Sequence, residues 1–208
     1  MTLKIHTLPL GMLETNCYVV VNDAGDAVIV DPGADPAVVA MFLKREKLTP
    51  HAILLTHAHF DHIGAVPGLV ERFALPVVLA AGDGPLYHSP HNAMPPLLGP
   101  VANLPPTQAT LPPNLPVGLA PELLPTPGHS PGGTSYHFAA AAVLFSGDVL
   151  FRASVGRHDL PGGDWDTLVR SIREVLYRLP PATTVYPGHG DPTTIAAERE
   201  GNPFVPAE

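Results

Sequence analysis

With 208 residues, 45% of them apolar and only 14% charged, the chain has material for one ordinary core. A formal net charge of −8 argues against a nucleic-acid partner, which normally needs a basic face, and a single cysteine, Cys17, excludes an internal disulfide. The first residues carry no apolar run of the kind that directs secretion, and no stretch reaches the roughly 20 apolar residues of a membrane span. A soluble, cytoplasmic protein without membrane or nucleic-acid partners is therefore expected.

In chain order, residues 3–8 and 16–21 read as strands with β-branched content, and Cys17 in the second reads as a small buried apolar side chain. The turn-rich Asn22-Asp23-Ala24-Gly25-Asp26 separates that strand from a third at 27–31, a hairpin pattern. Asp31-Pro32-Gly33 ends the third strand. Asp35 is then expected to cap a helix with Pro36 at its first position, where no N–H is needed, and Val39, Phe42 and Leu43 form its inward stripe. The apolar run 52–55 reads as a short buried strand, and it delivers Thr56-His57-Ala58-His59-Phe60-Asp61-His62 at its end. Three imidazoles and a carboxylate so close together make a dense ligand set for a divalent metal such as zinc or iron. His57 and His59 project to one side of extended backbone, and the adjacent Asp61 and His62 cannot join them there. The spacing predicts a turn that aims two ligands at one ion and two at a neighbouring one.

A helix is expected over 61–73, with Val66, Leu69, Val70 and Phe73 on one face, followed by a strand over 75–80. From 82 to 121 prolines recur every few residues and regular elements give out; a stretch this long is either a lid over substrate or a rigid surface excursion. His88 and His91 within it read as exposed loop histidines. His129 then stands in a glycine- and proline-rich turn after a strand, and 134–138 and 142–145 form a strand pair closed by Ser146-Gly147-Asp148. Glycine before the acid lets the backbone turn tightly and point a carboxylate out of the sheet end. Asp164 caps a helix with Leu168, Ile172, Val175, Leu176 and Leu179 inward, stopped by Pro180-Pro181. The strand-to-histidine pattern returns in Thr184-Val185-Tyr186-Pro187-Gly188-His189-Gly190, and 193–200 form a last helix. Each half of the chain thus runs from strands to a helix, with candidate ligands at the turns.

Residues 57–62 resemble the H-x-H-x-D-H signature of the metallo-β-lactamase superfamily. The resemblance implies an α/β fold, an αββα sandwich of two mixed sheets with outer helices, spanning 1–208 as a single domain with 82–121 as a proline-rich insert. It also implies a ligand set: His57, His59 and His129 on one ion, Asp61, His62 and His189 on the other, and Asp148 bridging both. The implied cofactor is two divalent metal ions, zinc or iron ahead of manganese. Asp31, in the family's recurrent D-P-G, either orients the metal loop or caps its own turn.

A narrower resemblance rests on Gly147-Asp148-Val149-Leu150-Phe151, Gly156-Arg157, Pro187-Gly188-His189-Gly190 and Asn202-Pro203-Phe204, which look like the glyoxalase II (hydroxyacylglutathione hydrolase) branch, particularly its short bacterial relatives. That branch implies a metal-dependent hydrolase acting on a small-molecule thioester such as S-lactoylglutathione, or on another small anionic substrate. In that branch the nucleophile would be a metal-bridging hydroxide, available near neutrality because metal-bound water can fall to a pKa of about 7. Asp61 would be the catalytic residue that orients this hydroxide. Arg157 stands where the branch carries a basic residue for the glutathione carboxylate, so it either binds substrate or makes a surface ion pair; the aromatic expected two residues on is Asp159 here. The stretch Gly156-Arg157-His158-Asp159 equally resembles the persulfide dioxygenase branch, which implies a single iron on His57, His129 and Asp148.

Overall fold

The structure, a computed structural model, describes residues 2–206, and the chain divides after Ala120 into two compact units. The first holds strands β1 (Lys4–Leu10), β2 (Thr15–Val21) and β3 (Asp26–Val30), helix α1 (Pro36–Glu46), β4 (Thr49–Leu54), the short α2 (Phe60–Ile63), α3 (Val66–Phe73), β5 (Val77–Val78) and α4 (Gly84–Tyr87). The sheet runs in the order β1-β2-β3-β4-β5. Its first three strands are antiparallel, whereas β4 lies parallel to both β3 and β5. Parallel neighbours are covered on both faces, so the middle strands read as continuous apolar runs. Val28, Ile29, Val30, Ile53 and Leu54 are accordingly all fully buried. On one face Val39, Phe42 and Leu43 of α1 and Val66 and Leu69 of α3 close the core with Ile29 and Ile53.

Two expectations about the helices are corrected. Asp35 does not cap α1 with its side chain: it sits at φ 53°, and its carboxylate accepts instead from the amide of Gly11 at 3.3 Å. The amides of Val38 and Val39 in α1 donate to the Asp35 main-chain carbonyl. The helix expected over 61–73 is two helices, because Pro67 has no N–H to give and its ring opposes the carbonyl one turn back. Of its four expected inward residues, Val66 and Leu69 are fully buried while Val70 and Phe73 pack partly exposed against the core. The proline-rich stretch is mostly irregular, but Gln108 returns to the sheet edge, exchanging backbone hydrogen bonds with Val77 and Leu79. That contact covers an edge which would otherwise offer open pairing groups.

The second unit holds β6 (Glu122–Pro125), β7 (Thr134–Phe138), β8 (Val143–Gly147), a small hairpin of β9 (Leu150–Phe151) and β10 (Ser154–Val155), α5 (Trp165–Arg170), β11 (Thr184–Pro187), β12 (Thr193–Thr194) and α6 (Ile195–Gly201). Its sheet order is β12-β11-β8-β7-β6, again mixed, with β8 and β11 the parallel pair. Asp164 caps α5 as expected, its Oδ1 accepting from the Thr167 amide at 2.8 Å. The helical run continues beyond α5 through a π-helical stretch, Ser171–Val175, and a 3-10 turn, Leu176–Arg178. Leu168, Ile172 and Leu176 pack on Leu144, Val185 and Ile195. Each half therefore carries its own mixed five-stranded sheet. Among the described residues no helix is long and apolar enough to cross a membrane.

Ile53 is fully buried in the first core, whereas Met41 on α1 is 65% exposed. Ile53→Ala should cost about 2–5 kcal/mol of unfolding free energy in urea titration, and Met41→Ala should stay within about 0.5 kcal/mol.

Candidate metal centre

In the first unit the candidate ligands follow from the β3–β4 pairing. Val30 and Leu54 are register partners, so the residues that leave these parallel strands, Asp31 on one side and Leu55-Thr56-His57 on the other, emerge together. The loop then turns back on itself. The ring of His57 lies 4.8 Å from that of His59 and 4.0 Å from that of His62, and His62 Nε2 lies 3.7 Å from Asp61 Oδ2. All four residues of the motif are thus neighbours. The three histidines are buried, and Asp61 is only partly so.

Asp31 anchors this loop. Its Oδ1 accepts from the Thr56 amide at 2.7 Å, and its Oδ2 accepts from the Thr56 hydroxyl at 2.6 Å and lies 3.1 Å from His62 Nδ1. Asp31, His57 and His62 offer ligand atoms within 4.8 Å of one another, a spacing that could itself hold an ion. Both oxygens of Asp31 are already engaged, however, and a carboxylate on the far nitrogen of a ligating imidazole is the usual orienting arrangement. Of the two roles open to Asp31, orientation is the one its contacts serve: a carboxylate at Nδ1 favours the tautomer whose Nε2 is left for a metal.

Two further positioning residues carry no local sequence signal. Asp83, buried at the start of the proline-rich stretch, accepts from the Ala58 amide at 2.9 Å. Asn92 donates to the Ala58 carbonyl at 2.7 Å and accepts from the Phe60 amide at 2.9 Å. This part of the insert grips the metal loop, a role neither the lid nor the surface-excursion reading included. His88 and His91 are exposed, as expected. Gly33 packs so closely on the Asp61 carbonyl, and Gly64 on the Gly33 carbonyl, that a β-carbon at either would overlap main chain. Beside Asp61 a cavity of about 240 Å³ opens between Leu10, Leu13, Phe60 and Val101.

The second unit repeats the device. Gly147 and Pro187 are register partners at the ends of β8 and β11, and the Gly188 amide donates to the Gly147 carbonyl at 2.9 Å. Asp148 and His189 therefore leave the sheet side by side. Oδ2 of Asp148 lies 3.6 Å from His189 Nε2 and 3.7 Å from His129 Nε2. One carboxylate oxygen between two imidazoles is the placement a bridging ligand needs. The other ring nitrogen of His129 lies 2.7 Å from the Arg157 carbonyl, which fixes the ring as Asp31 fixes His62. Gly156 makes this possible, since a β-carbon there would overlap the Asp148 carbonyl and press on His129.

The Arg157 side chain forms a two-pronged pair with Asp159, both contacts 2.9 Å, and both groups are exposed. The guanidinium holds the Asp159 carboxyl down at about 2. In this structure the surface ion pair is the role its side chain fills, and the main chain of Arg157 rather than its charge touches the candidate centre. Cys17 is fully buried, with its thiol pushed up by burial and by the charge of Asp31, so it is no nucleophile.

The profile of the metallo-β-lactamase superfamily matches residues 10–189. The chain belongs to the metallo-β-lactamase superfamily. It is 33% identical over 214 residues to the hydroxyacylglutathione hydrolase GloC of Haemophilus influenzae, with 98% of each chain covered. Among solved structures it is similar to TTHA1623 in a di-iron-bound form (43% identity, TM-score 0.85, 96% of this chain and 99% of that one). It is similar also to the B3 metallo-β-lactamase BLEG-1 (42% identity, TM-score 0.81, 97% and 99% covered). The two mixed sheets with their helices are those of the metallo-β-lactamase fold, as expected. Imidazole nitrogens and carboxylate oxygens clustered in such a fold fit two divalent metal ions.

If Asp31 orients His62, Asp31→Asn should weaken metal binding by about 10–100-fold in a chelator competition while far-UV circular dichroism stays unchanged. Unaltered affinity would leave Asp31 a turn residue only.

Proposed function

We propose that this member of the superfamily is a binuclear hydrolase of small-molecule thioesters. In this reading His57, His59 and His129 hold one ion, Asp61, His62 and His189 hold the second, and Asp148 bridges them. The observation that carries it is the Asp148 carboxylate set between His129 and His189. Full-length similarity to a hydroxyacylglutathione hydrolase supports the thioester. A solved relative with two irons supports the pair of ions.

Such ions supply Lewis acidity and a water whose pKa can fall to about 7. The chain's own residues do the rest. Thr15 donates its hydroxyl to Asp61 Oδ2 at 3.1 Å, holding the carboxylate where it can take a hydrogen bond from the attacking water. Asp31 fixes the ring of His62, and the Arg157 carbonyl fixes that of His129. The apolar cavity beside Asp61 suits the acyl chain of the substrate. Arg157 would reach a carboxylate on the thiol portion only by giving up Asp159. Glutathione is therefore one candidate thiol among several.

A second reading, β-lactam hydrolysis, draws on the similarity to BLEG-1. A third, the mononuclear-iron persulfide dioxygenase, follows from the Gly156-Arg157-His158-Asp159 stretch. One assay set separates them. Purified enzyme should hydrolyse S-lactoylglutathione or a simple acyl thioester, lose the activity to a chelator and regain it with added zinc or iron. Asp61→Asn should lower kcat by about 10²–10⁴-fold. Cleavage of a chromogenic cephalosporin without thioester turnover would favour the second reading. Oxygen uptake with glutathione persulfide would favour the third.

A further inference from the structure

The helical run that starts with α5 carries a feature the metal chemistry does not use. A groove of about 520 Å³ lies between this run and α6, within the second unit. Four arginines line it: Arg170, Arg173 and Arg178 from the run and Arg199 from α6. The chain as a whole has 19 acidic residues against 11 lysines and arginines, so solubility does not call for cations gathered here.

Asp166 and Glu174 also line the groove and could in principle neutralise it. Asp166, Arg170, Glu174 and Arg178 stand four apart, the spacing at which a regular helix pairs opposite charges. The π-helical stretch Ser171–Val175 breaks that regularity in the middle of the series. Among the described residues neither acid comes within ion-pair distance of Arg170, Arg178 or Arg199, and none of these three guanidinium groups has an ion pair or hydrogen bond. The fourth, Arg173, is held in place by donating to the Pro206 carbonyl at 3.2 Å. Isolated π-helical turns recur at binding sites because they displace side chains that a regular helix would align. Here the displacement leaves guanidinium groups uncommitted around one concavity.

We propose that this groove binds a small phosphate-bearing anion, separate from the substrate of the metal centre. Guanidinium forks match phosphate oxygens two at a time, which favours phosphate over a lone carboxylate. The volume exceeds what one inorganic phosphate fills and falls in the range of small-molecule sites. Val169 and Tyr177 give it an apolar wall against which the rest of such a molecule can lie.

The test is calorimetric titration of the metal-loaded full chain with ATP and, separately, with inorganic pyrophosphate, in low salt and at physiological salt. One saturable site per chain is expected, weaker at higher salt as screened charge requires. Arg170→Gln and Arg199→Gln, both exposed on the native surface, should each weaken binding by about tenfold and leave hydrolase turnover unchanged. Arg45→Gln, on α1 and paired with Glu46, should leave binding unaltered. Equal affinity for pyrophosphate and ATP would identify the phosphate chain as the element recognised; a preference for ATP would add the nucleoside on the Val169 and Tyr177 wall. Absence of saturable binding would overturn the proposal. So would binding that survives both arginine substitutions, as chelation of ATP at the metals would.

Discussion

The buried carboxylate of Asp31 is the constraint on which the first cluster of candidate ligands depends. It is 2% exposed, accepts two short hydrogen bonds from Thr56 and lies on Nδ1 of His62, which is fully buried. A charge so deep in the protein is tolerable only when its lone pairs are satisfied. Those same bonds dock the end of β4 onto the end of β3. The hydrogen bonding that makes Asp31 tolerable is thus also what aims the histidines. Asp83 and Asn92 extend the grip to Ala58 and Phe60, so the loop between His57 and His62 is held from the sheet and from the proline-rich stretch.

The second unit solves the same problem with different parts. Its parallel strand pair, β8 and β11, puts Asp148 and His189 next to each other at the carboxyl ends of the strands. Open α/β sheets favour that end for ligands because strands deliver their loops there together. A main-chain carbonyl, that of Arg157, takes the orienting role that a carboxylate takes for His62. In both units glycine permits the approach: Gly33 and Gly64 near Asp61, Gly156 near Asp148. Side chains at these positions would move the ligands by more than a metal site tolerates.

The candidate ligands stood out because their pattern is local: a histidine or aspartate straight after an apolar run needs only strand periodicity to be placed at a strand end. The sandwich itself came from the family resemblance, since periodicity alone could not pair the strands. Less legible was whatever depended on partners distant in sequence. Asp83 and Asn92 lie 25 and 34 residues from Ala58, whose main chain they hold, and nothing near them announces it. Asp35 looked like a cap, yet its positive φ turns the side chain toward Gly11, 24 residues away. The break between α2 and α3 falls just before Pro67, and the apolar spacing that predicted one helix carries no trace of it. The π-helical stretch after Arg170 has no sign either, because side-chain spacing alone does not distinguish it from α-helix.

The proposed hydrolase stands or falls on a pair of ions that share the Asp148 carboxylate. Counting metals by plasma mass spectrometry, on the wild-type chain and on Asp148→Ala purified alongside it, tests this directly. Two divalent ions per chain are predicted for the wild type, with both occupancies falling sharply in the variant. A single ion in the wild type, or two ions retained without the Asp148 carboxylate, would contradict it.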